Sequence, residues 1–393
     1  MMRKQLKRLT AAGLAVMFLS ACQIQQSPGL EQVQGEESQE QEDLSLHGIF
    51  DQNVPLEFAK EFTIVKDGDG CTLLTISQGD SFLVIPEGNT VPEEIPDPSH
   101  TVVLMQPLDH IYLAATSAMD FFSGLDSMDS LRLSGTKAEG WYVEAAKAAM
   151  EEGNLIYAGK YSQPDYELLL DETCRLAIES TMIYHKPEVK EKLEQIGIPV
   201  LVERSSYETD PLGRMEWVKF YGALLGKEEE AERVFHEKVE LLKEELKKDT
   251  ISDHPTVAFF YVTPRGYVNV RKSGDYISKM IQMAGGTYIF KDLGDSDSAM
   301  STVNLQMEEF YAVAKEADYL IYNSTVDGEV RNLEELFAKS ELLRDFKAVR
   351  EGHVWCTSKQ MFQNTMGVAD MIADMHRMFQ GDEEAMVYLF PIR

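Results

Sequence analysis

The residues able to carry covalent or hydrolytic chemistry lack the spacing such chemistry needs. No G-x-S-x-G run presents a nucleophilic serine, and no H-E-x-x-H pair sets two imidazoles on one helix face around zinc. Gly153 to Lys160 approximates a phosphate-cradling loop, but it has one residue too many and runs into Tyr161 where Ser or Thr would reach Mg²⁺. The eight His are scattered, and His110, His185 and His353 read as strand-end or surface residues. A free Zn²⁺ or Mn²⁺ site needs three or four converging His, Asp or Glu ligands. Asp67 and Asp69 lie in Lys66-Asp67-Gly68-Asp69-Gly70, which reads as a hairpin turn because the apolar residues that follow do not continue a calcium loop. Asp292, Asp295 and Asp297 read as a solvated acidic loop. Cys71, Cys174 and Cys356 have no CxxC spacing, so neither a disulfide framework nor structural zinc is indicated, and Cys174 and Cys356 read as buried small residues. Catalysis and intrinsic metal or cofactor chemistry are therefore not expected.

Charge narrows the partners. Lys plus Arg number 37 against 66 Asp plus Glu, a net charge of −29. Arg3, Lys4, Lys7 and Arg8 all fall in the N-terminal segment, so without it the balance is 33 − 66 = −33. Such a surface repels phosphate backbones, and nucleic acid is not an expected partner.

The basic start MMRKQLKR leads into an apolar run, Ala11 to Leu19, too short for the roughly 20 residues that span a bilayer. It reads as an export signal over residues 1–21. It ends in Leu19-Ser20-Ala21-Cys22, which resembles the bacterial lipoprotein cleavage box, implying lipidation of Cys22 and membrane anchoring through the lipid. Residues 22–60 begin rich in Gln, Glu, Ser and Gly and read as a flexible tether. The 393 residues suit two domains.

Behind these residues stand the elements that would position a site. Phe62 to Val65, Cys71 to Ile76 and Phe82 to Ile85 predict a small β-meander over residues 61–99. Thereafter short apolar strands alternate with helices. Thr101 to Met105, Ile111 to Ala115, Leu155 to Tyr157, Leu176 to Ile178 and Pro199 to Val202 alternate with Glu139 to Met150 and Pro187 to Gln195, giving an N-terminal α/β lobe over residues 100–226. Thr256 to Val262, Tyr276 to Ala284, Met307 to Ala314, Tyr319 to Tyr322, His353 to Cys356 and Val368 to Phe379 give a second over residues 251–393. Between them, residues 227–250 predict one long amphipathic helix. Its stripe is Ala231, Phe235, Val239, Leu242 and Leu246, with Glu228 to Glu230 and Lys247, Lys248 opposing the macrodipole. The expected fold class is α/β, two Rossmann-like lobes joined by one long backbone helix, with the meander at the N-terminal side.

These patterns resemble the substrate-binding proteins of ABC importers for metal chelates, the siderophore, haem and cobalamin group with a single backbone helix. The resemblance spans Thr101 to Gln380. It rests on Ile111 to Asp126 (Asp120 standing where Glu is usual), Pro164 to Leu169, Ile196-Gly197-Ile198-Pro199-Val200, Asp210 to Gly222, Ala284 to Phe290 and Met307 to Phe310. It implies capture of a chelate in an interlobe cleft, as a monomer outside the cytoplasm, for delivery to a permease and its ATPase. Glu167 and Glu308 stand where such proteins dock on permease arginines, with Glu309 an acceptable substitute for Glu308. The resemblance offers Thr116, Ser117, Thr136, Tyr161, Tyr261, Arg265, Tyr267, Met361 and Phe362 as ligand-binding residues. Arg265, Arg271 and Lys272 are available to anionic arms of a chelate. A free-ion receptor, and an adhesin or sensor that kept the fold, are the alternatives.

Overall fold

The computed structural model describes residues 50–248, 251, 253–294 and 302–393, all within one compact unit, Leu46–Arg393. The expected signal segment, Cys22, Asp295 and Asp297 lie outside the described residues.

Short apolar runs between Asp-Gly turns build a five-stranded sheet: β1 (Phe50–Asn53), β2 (Phe62–Asp67), β3 (Thr72–Ile76), β4 (Ser81–Ile85) and β5 (Thr101–Met105), in that order. Neighbours from β1 to β4 are antiparallel, and β5 runs parallel to β4. The β2–β3 turn is the hairpin expected, with an Asp67 carboxylate oxygen accepting from the amides of Asp69 and Cys71 at 2.9 and 2.7 Å. Two expectations need correction. Thr101–Met105 belongs to this sheet and not to the lobe that follows, because β4 offers an edge and the Pro-rich connection of residues 86–100 is long enough to return the chain parallel to it. The tether does not reach residue 60: β1 pairs with β2, and Val54, Leu56 and Phe58 pack on the core.

The N-terminal lobe holds β6 (Ile111–Leu113), β7 (Leu131–Ser134), β8 (Ile156–Tyr157), the hairpin β9 (Gly159–Lys160) and β10 (Gln163–Pro164), β11 (Leu176–Ser180) and β12 (Val200–Glu203). Its parallel sheet has the order β12-β11-β6-β7-β8. Around it lie α1 (Met119–Gly124), α2 (Glu144–Glu151), α3 (Tyr166–Asp171) and α4 (Pro187–Gln195). Being covered on both faces, β12 is buried at every position, as a continuous apolar run requires.

Two helices follow β12, α5 (Pro211–Leu225) and α6 (Glu228–Lys247). The C-terminal lobe then holds β13 (Thr256–Val262), β14 (Val268–Arg271), β15 (Thr287–Tyr288), β16 (Thr302–Leu305), β17 (Tyr319–Tyr322), β18 (Val354–Thr357) and β19 (Leu389–Pro391). Its sheet has the order β16-β14-β13-β17-β18-β19, with β15 also on β13. Its helices are α7 (Tyr276–Met283), α8 (Met307–Ala314), α9 (Ser324–Asp327), α10 (Leu333–Lys339), α11 (Lys347–Glu351) and α12 (Val368–Gln380). No helix among the described residues is long and apolar enough to cross a membrane.

α6 is the long amphipathic helix expected, about 30 Å at 1.5 Å per residue. Its Ala231, Phe235, Val239 and Leu242 are buried. The centre of the molecule is nevertheless α5. Asp210 caps it by accepting from Leu212 N at 2.8 Å, Pro211 opens it, and Gly226 closes it in the left-handed region at φ +70°. Every residue from Pro211 to Leu224 is buried. α5 packs on α6, on α1 of one lobe, on α7 and α12 of the other, and on β2 and β3. A Cβ on Gly222 would lie 2.5 Å from that of Ala231, so α5 and α6 meet at backbone distance. α12 is tied along α6 by Lys238–Asp370 at 2.6 Å and Arg377–Glu245 at 2.8 Å.

Burying α5 on all sides leaves its charges to be answered internally. The Glu216 carboxylate accepts from the backbone amides of Glu57, Phe58 and Ala59 at 2.7 to 2.8 Å and lies 3.1 Å from Lys219. Just ahead of α5, Glu208 accepts from the amides of Lys60 and Glu61 and from the Trp217 indole at 2.9 to 3.1 Å. Five consecutive backbone N–H groups, from Glu57 to Glu61, are thus strapped to the central helix region. Asp374 repeats the device, one oxygen accepting from the amides of Val387, Tyr388 and Leu389. Glu179 on β11 has no such help. It is fully buried with neither carboxylate oxygen hydrogen-bonded, and burial pushes its pKa up to about 9.

Replacing Glu216 with Ala orphans three amides, leaves Lys219 with Glu232 alone, and is expected to lower the unfolding free energy by roughly 3–5 kcal/mol, read by chemical denaturation. For Glu179 the sign is opposite. Below its ordinary range near 4.5, folded and unfolded chains both hold the proton; between there and about 9 only the folded chain does, so burial destabilises the fold increasingly as pH rises. Glu179→Gln should therefore raise the melting temperature at pH 8, with the gain shrinking towards pH 4.5 in a thermal-melt series.

Candidate functional site

In open α/β sheets ligands meet the carboxyl ends of the strands, and both lobes set their candidate residues there. Thr116 and Ser117 follow β6, and Thr136 follows β7. Tyr161 occupies the tip of the β9–β10 hairpin. Tyr261 is in the last turn of pleat of β13, Arg265 and Tyr267 lie on the turn into β14, and Met361 and Phe362 follow β18. Arg265 and Tyr267 are exposed, and the other seven are partly buried. Among the described residues the rings of Tyr161 and Tyr267 make no stacking contact or side-chain hydrogen bond, whereas Tyr261 packs against the main core.

Several candidates are engaged within the protein. The Ser117 hydroxyl donates to the buried carboxylate of Glu203 at 3.0 Å, which also accepts from Ser205 N at 2.7 Å. The Ser134 hydroxyl donates to the Thr136 carbonyl at 2.6 Å and accepts from Thr136 N and the Trp141 indole at 3.0 and 3.2 Å, which shapes the loop after β7. Arg271, offered by the sequence to an anionic arm, is paired with Asp275 at 3.3 Å.

One short stretch, Phe362 to Met366, bridges the lobes. The Gln363 side chain accepts from Tyr142 N at 2.7 Å and donates to the Gly140 carbonyl at 2.8 Å. The Thr365 hydroxyl donates to the Ser117 carbonyl at 2.8 Å, and Met366 N donates to the Asp120 carboxylate at 2.8 Å. Phe362 meets the edge of Tyr142, ring centroids 6.2 Å apart. Phe362 is therefore part of the lobe contact as well as a candidate wall. Burial pushes the Asp120 carboxyl up to about 6, opposed by the Met366 amide and by Lys238, with Asp370 adding to the rise.

Met361 and Phe362 also line a pocket between α5 and the C-terminal lobe, with Arg214, Tyr276, Asn364 and Thr365, whose volume of about 10 Å³ admits little more than one water. The Arg214 guanidinium lies 4.0 Å over the Tyr276 ring. Sequence reasoning passed over Arg214, Tyr276, Gln363, Asn364 and Tyr142. One signal was available: Asp210 to Gly222 is apolar on every side once wound as a helix, which marks a buried helix and makes each of its charges a buried one.

The docking candidates occupy matching positions. Glu167 is the second residue of α3, whose cap Asp165 accepts from Leu168 N at 3.1 Å, and Glu308 is the second residue of α8. Both are exposed. Glu309 is not equivalent, because its carboxylate closes the capping box by accepting from Gln306 N at 3.0 Å. Among the described residues no group of three or more His, Cys, Asp and Glu could hold a metal ion.

A family model described as periplasmic binding protein matches residues 127–361. An uncharacterized lipoprotein of Methanocaldococcus jannaschii is 29% identical over 233 residues, 58% of this chain and 53% of its own length, so the chain spans about half of that relative. A second uncharacterized lipoprotein of the same organism is 25% identical over 378 residues, 91% of each chain. Among solved structures, the periplasmic haem-binding protein of Vibrio cholerae superposes with a TM-score of 0.54 at 15% identity, covering 67% of this chain and 97% of that one. A periplasmic binding protein of Veillonella parvula gives 0.55 at 17% identity, covering 68% and 90%. These likenesses show the fold.

Gln363→Ala should release the Gly140–Tyr142 loop. Hydrogen exchange measured by mass spectrometry is expected to quicken over residues 138–143 while the cores of both sheets stay protected, at a stability loss of about 1–3 kcal/mol. Unchanged exchange there would mean that the bridge holds nothing.

Proposed function

Because this chain belongs to the periplasmic binding protein family, we propose that it is a lipid-anchored, extracytoplasmic receptor that captures a metal chelate between its lobes and hands it to an ABC permease. The chelate is an iron-siderophore, haem or cobalamin. One observation carries the reading: aromatic and polar candidates of both lobes follow the carboxyl ends of their strands in the chain. Capture needs only apolar walls and a few convergent polar groups. The rings of Tyr161 and Tyr267, which make no stacking contact among the described residues, suit a conjugated or macrocyclic ligand, since aromatic rings bury area at little rotamer cost. The haem-binding proteins of Vibrio cholerae and Roseiflexus, similar in fold, support the ligand class, and the lipoprotein relatives support anchoring through Cys22.

Delivery requires registration on the permease. Two exposed carboxylates in matching positions, Glu167 and Glu308, are suited to meet two basic sockets and steer encounter. Their exposure makes them nearly free of structural duty, unlike Glu309.

Thermal shift with haemin, a ferric siderophore and cyanocobalamin tests capture. The cognate chelate at 100 times its dissociation constant should add about 2.7 kcal/mol, and no stabilisation by any of the three classes would overturn the reading. Glu167→Lys with Glu308→Lys is expected to abolish uptake by cells while leaving chelate affinity unchanged. An equal fall in affinity would remove the docking role.

A further inference from the structure

The chain as a whole is acidic, with 66 Asp and Glu against 37 Lys and Arg. The loops at the carboxyl ends of its main parallel strands depart from that balance. They follow β6, β7, β8, β11 and β12 in one lobe and β13, β17 and β18 in the other. Their acids are nearly all engaged. Asp165 and Asp210 cap α3 and α5, Glu208 takes backbone amides, Asp327 pairs with Lys339, and Glu329 pairs with Arg331 at 2.5 Å. Among the described residues Glu139 is the one acid of these loops without a partner. Four cations on the same loops, Lys137, Lys160, Arg265 and Lys359, have no carboxylate partner among the described residues. The uncompensated charge here is therefore opposite in sign to that of the molecule.

The four sit at two pairs of neighbouring strand ends. Lys137 follows β7 and stands 5.6 Å from the centre of the Tyr157 ring, which ends β8, and Lys160 is three residues further on in the hairpin. In the other lobe Arg265 follows β13 and Lys359 follows β18, with β17 between them, so those strand ends are about 10 Å apart at the usual spacing. The Lys359 stem runs beside Gly328 of the intervening loop, where a Cβ would lie 3.5 Å from it. Gln363 then joins the two lobes through these very loops, bonding Gly140 and Tyr142. Gly140 shares a turn with Lys137, its amide donating to the Lys137 carbonyl at 2.9 Å. Lys137 and Lys359 thus stand three and four residues from the two sides of the lobe contact. Lys137, Lys160 and Arg265 are exposed and Lys359 is partly buried, so leaving them unpaired stores little strain. What it leaves is field: cations of one sign over low-dielectric walls draw anions in, and salt screens the pull.

Resting on the chelate-capture reading, we propose that Lys137 and Lys160 of one lobe and Arg265 and Lys359 of the other select chelates of net negative charge. Such chelates carry more carboxylate or catecholate charge than their metal neutralises. Neutral hydroxamate and corrinoid chelates are disfavoured, and the acidic remainder of the surface keeps anions from settling elsewhere.

The test is fluorescence titration with haemin against its dimethyl ester, and with ferric citrate and a ferric tricatecholate against neutral ferrichrome and cyanocobalamin. The parent protein is expected to prefer the anionic member of at least one set by about tenfold or more at 50 mM NaCl, and most of that preference should vanish at about 500 mM. Lys137→Gln with Lys359→Gln should weaken the anionic chelate by about 3- to 10-fold and leave any neutral one unchanged. Lys192→Gln with Lys247→Gln changes net charge equally at exposed cations on α4 and α6, and should leave the preference intact. A parent that binds neutral chelates as tightly as anionic ones overturns the selection and leaves chelate capture standing. So does a Lys137→Gln, Lys359→Gln protein with the parent's preference, or an equal loss in the control pair. Binding of none of the probes overturns both.

Discussion

A helix surrounded on every side must have each of its charges answered by the protein, and α5 meets that demand with backbone amides more than with opposite charges. Glu216 and the preceding Glu208 take five successive N–H groups of the strap ahead of β2, and Asp374 does the same for the chain leading into β19. Burial pushes the Glu208 and Asp374 carboxyls up, and the amides they accept oppose that rise without a cation for each. Part of the acidic surplus of this chain therefore works inside the molecule, as fastening, while Glu179 shows what the same group does when no amide is offered.

The lobes are joined by more than a connecting rod. Behind them α5, α6 and α12 pack together, with the backbone contact at Gly222 and two ion pairs between α6 and α12. In front of them Phe362 to Met366 reaches across to Gly140, Tyr142, Ser117 and Asp120. Packed helices with crystal-like density tolerate little sliding, so adjustment between the lobes falls to the hydrogen-bonded bridge, whose bonds can exchange for others at small cost.

Periodicity made much of this visible in advance. Thr256–Val262, Pro187–Gln195, Met307–Ala314 and the stripe of α6 were legible because local pattern and tertiary burial agree there. β7, β14 and β16 were missed: Leu131–Ser134 is a four-residue strand with Arg132 inside it, and the other two carry Asn269 and Asn304 facing one another across an antiparallel pair. Thr101–Met105 was legible as a strand but not as a member of its sheet, since sheet membership is a non-local fact. The site divides the same way. Candidates at strand ends followed from the fold, whereas Gln363 is a glutamine in a polar loop until its partners Gly140 and Tyr142 are seen.

The strap from Glu57 to Glu61 has a mechanical implication. Force applied to the chain ahead of Phe50 enters through β1 and the strap, and is received by amides bonded at the middle helix, which both lobes share. Load borne there reaches the helix on which both lobes pack, so a pull on β1 would move the body as a whole without prising one half from the other.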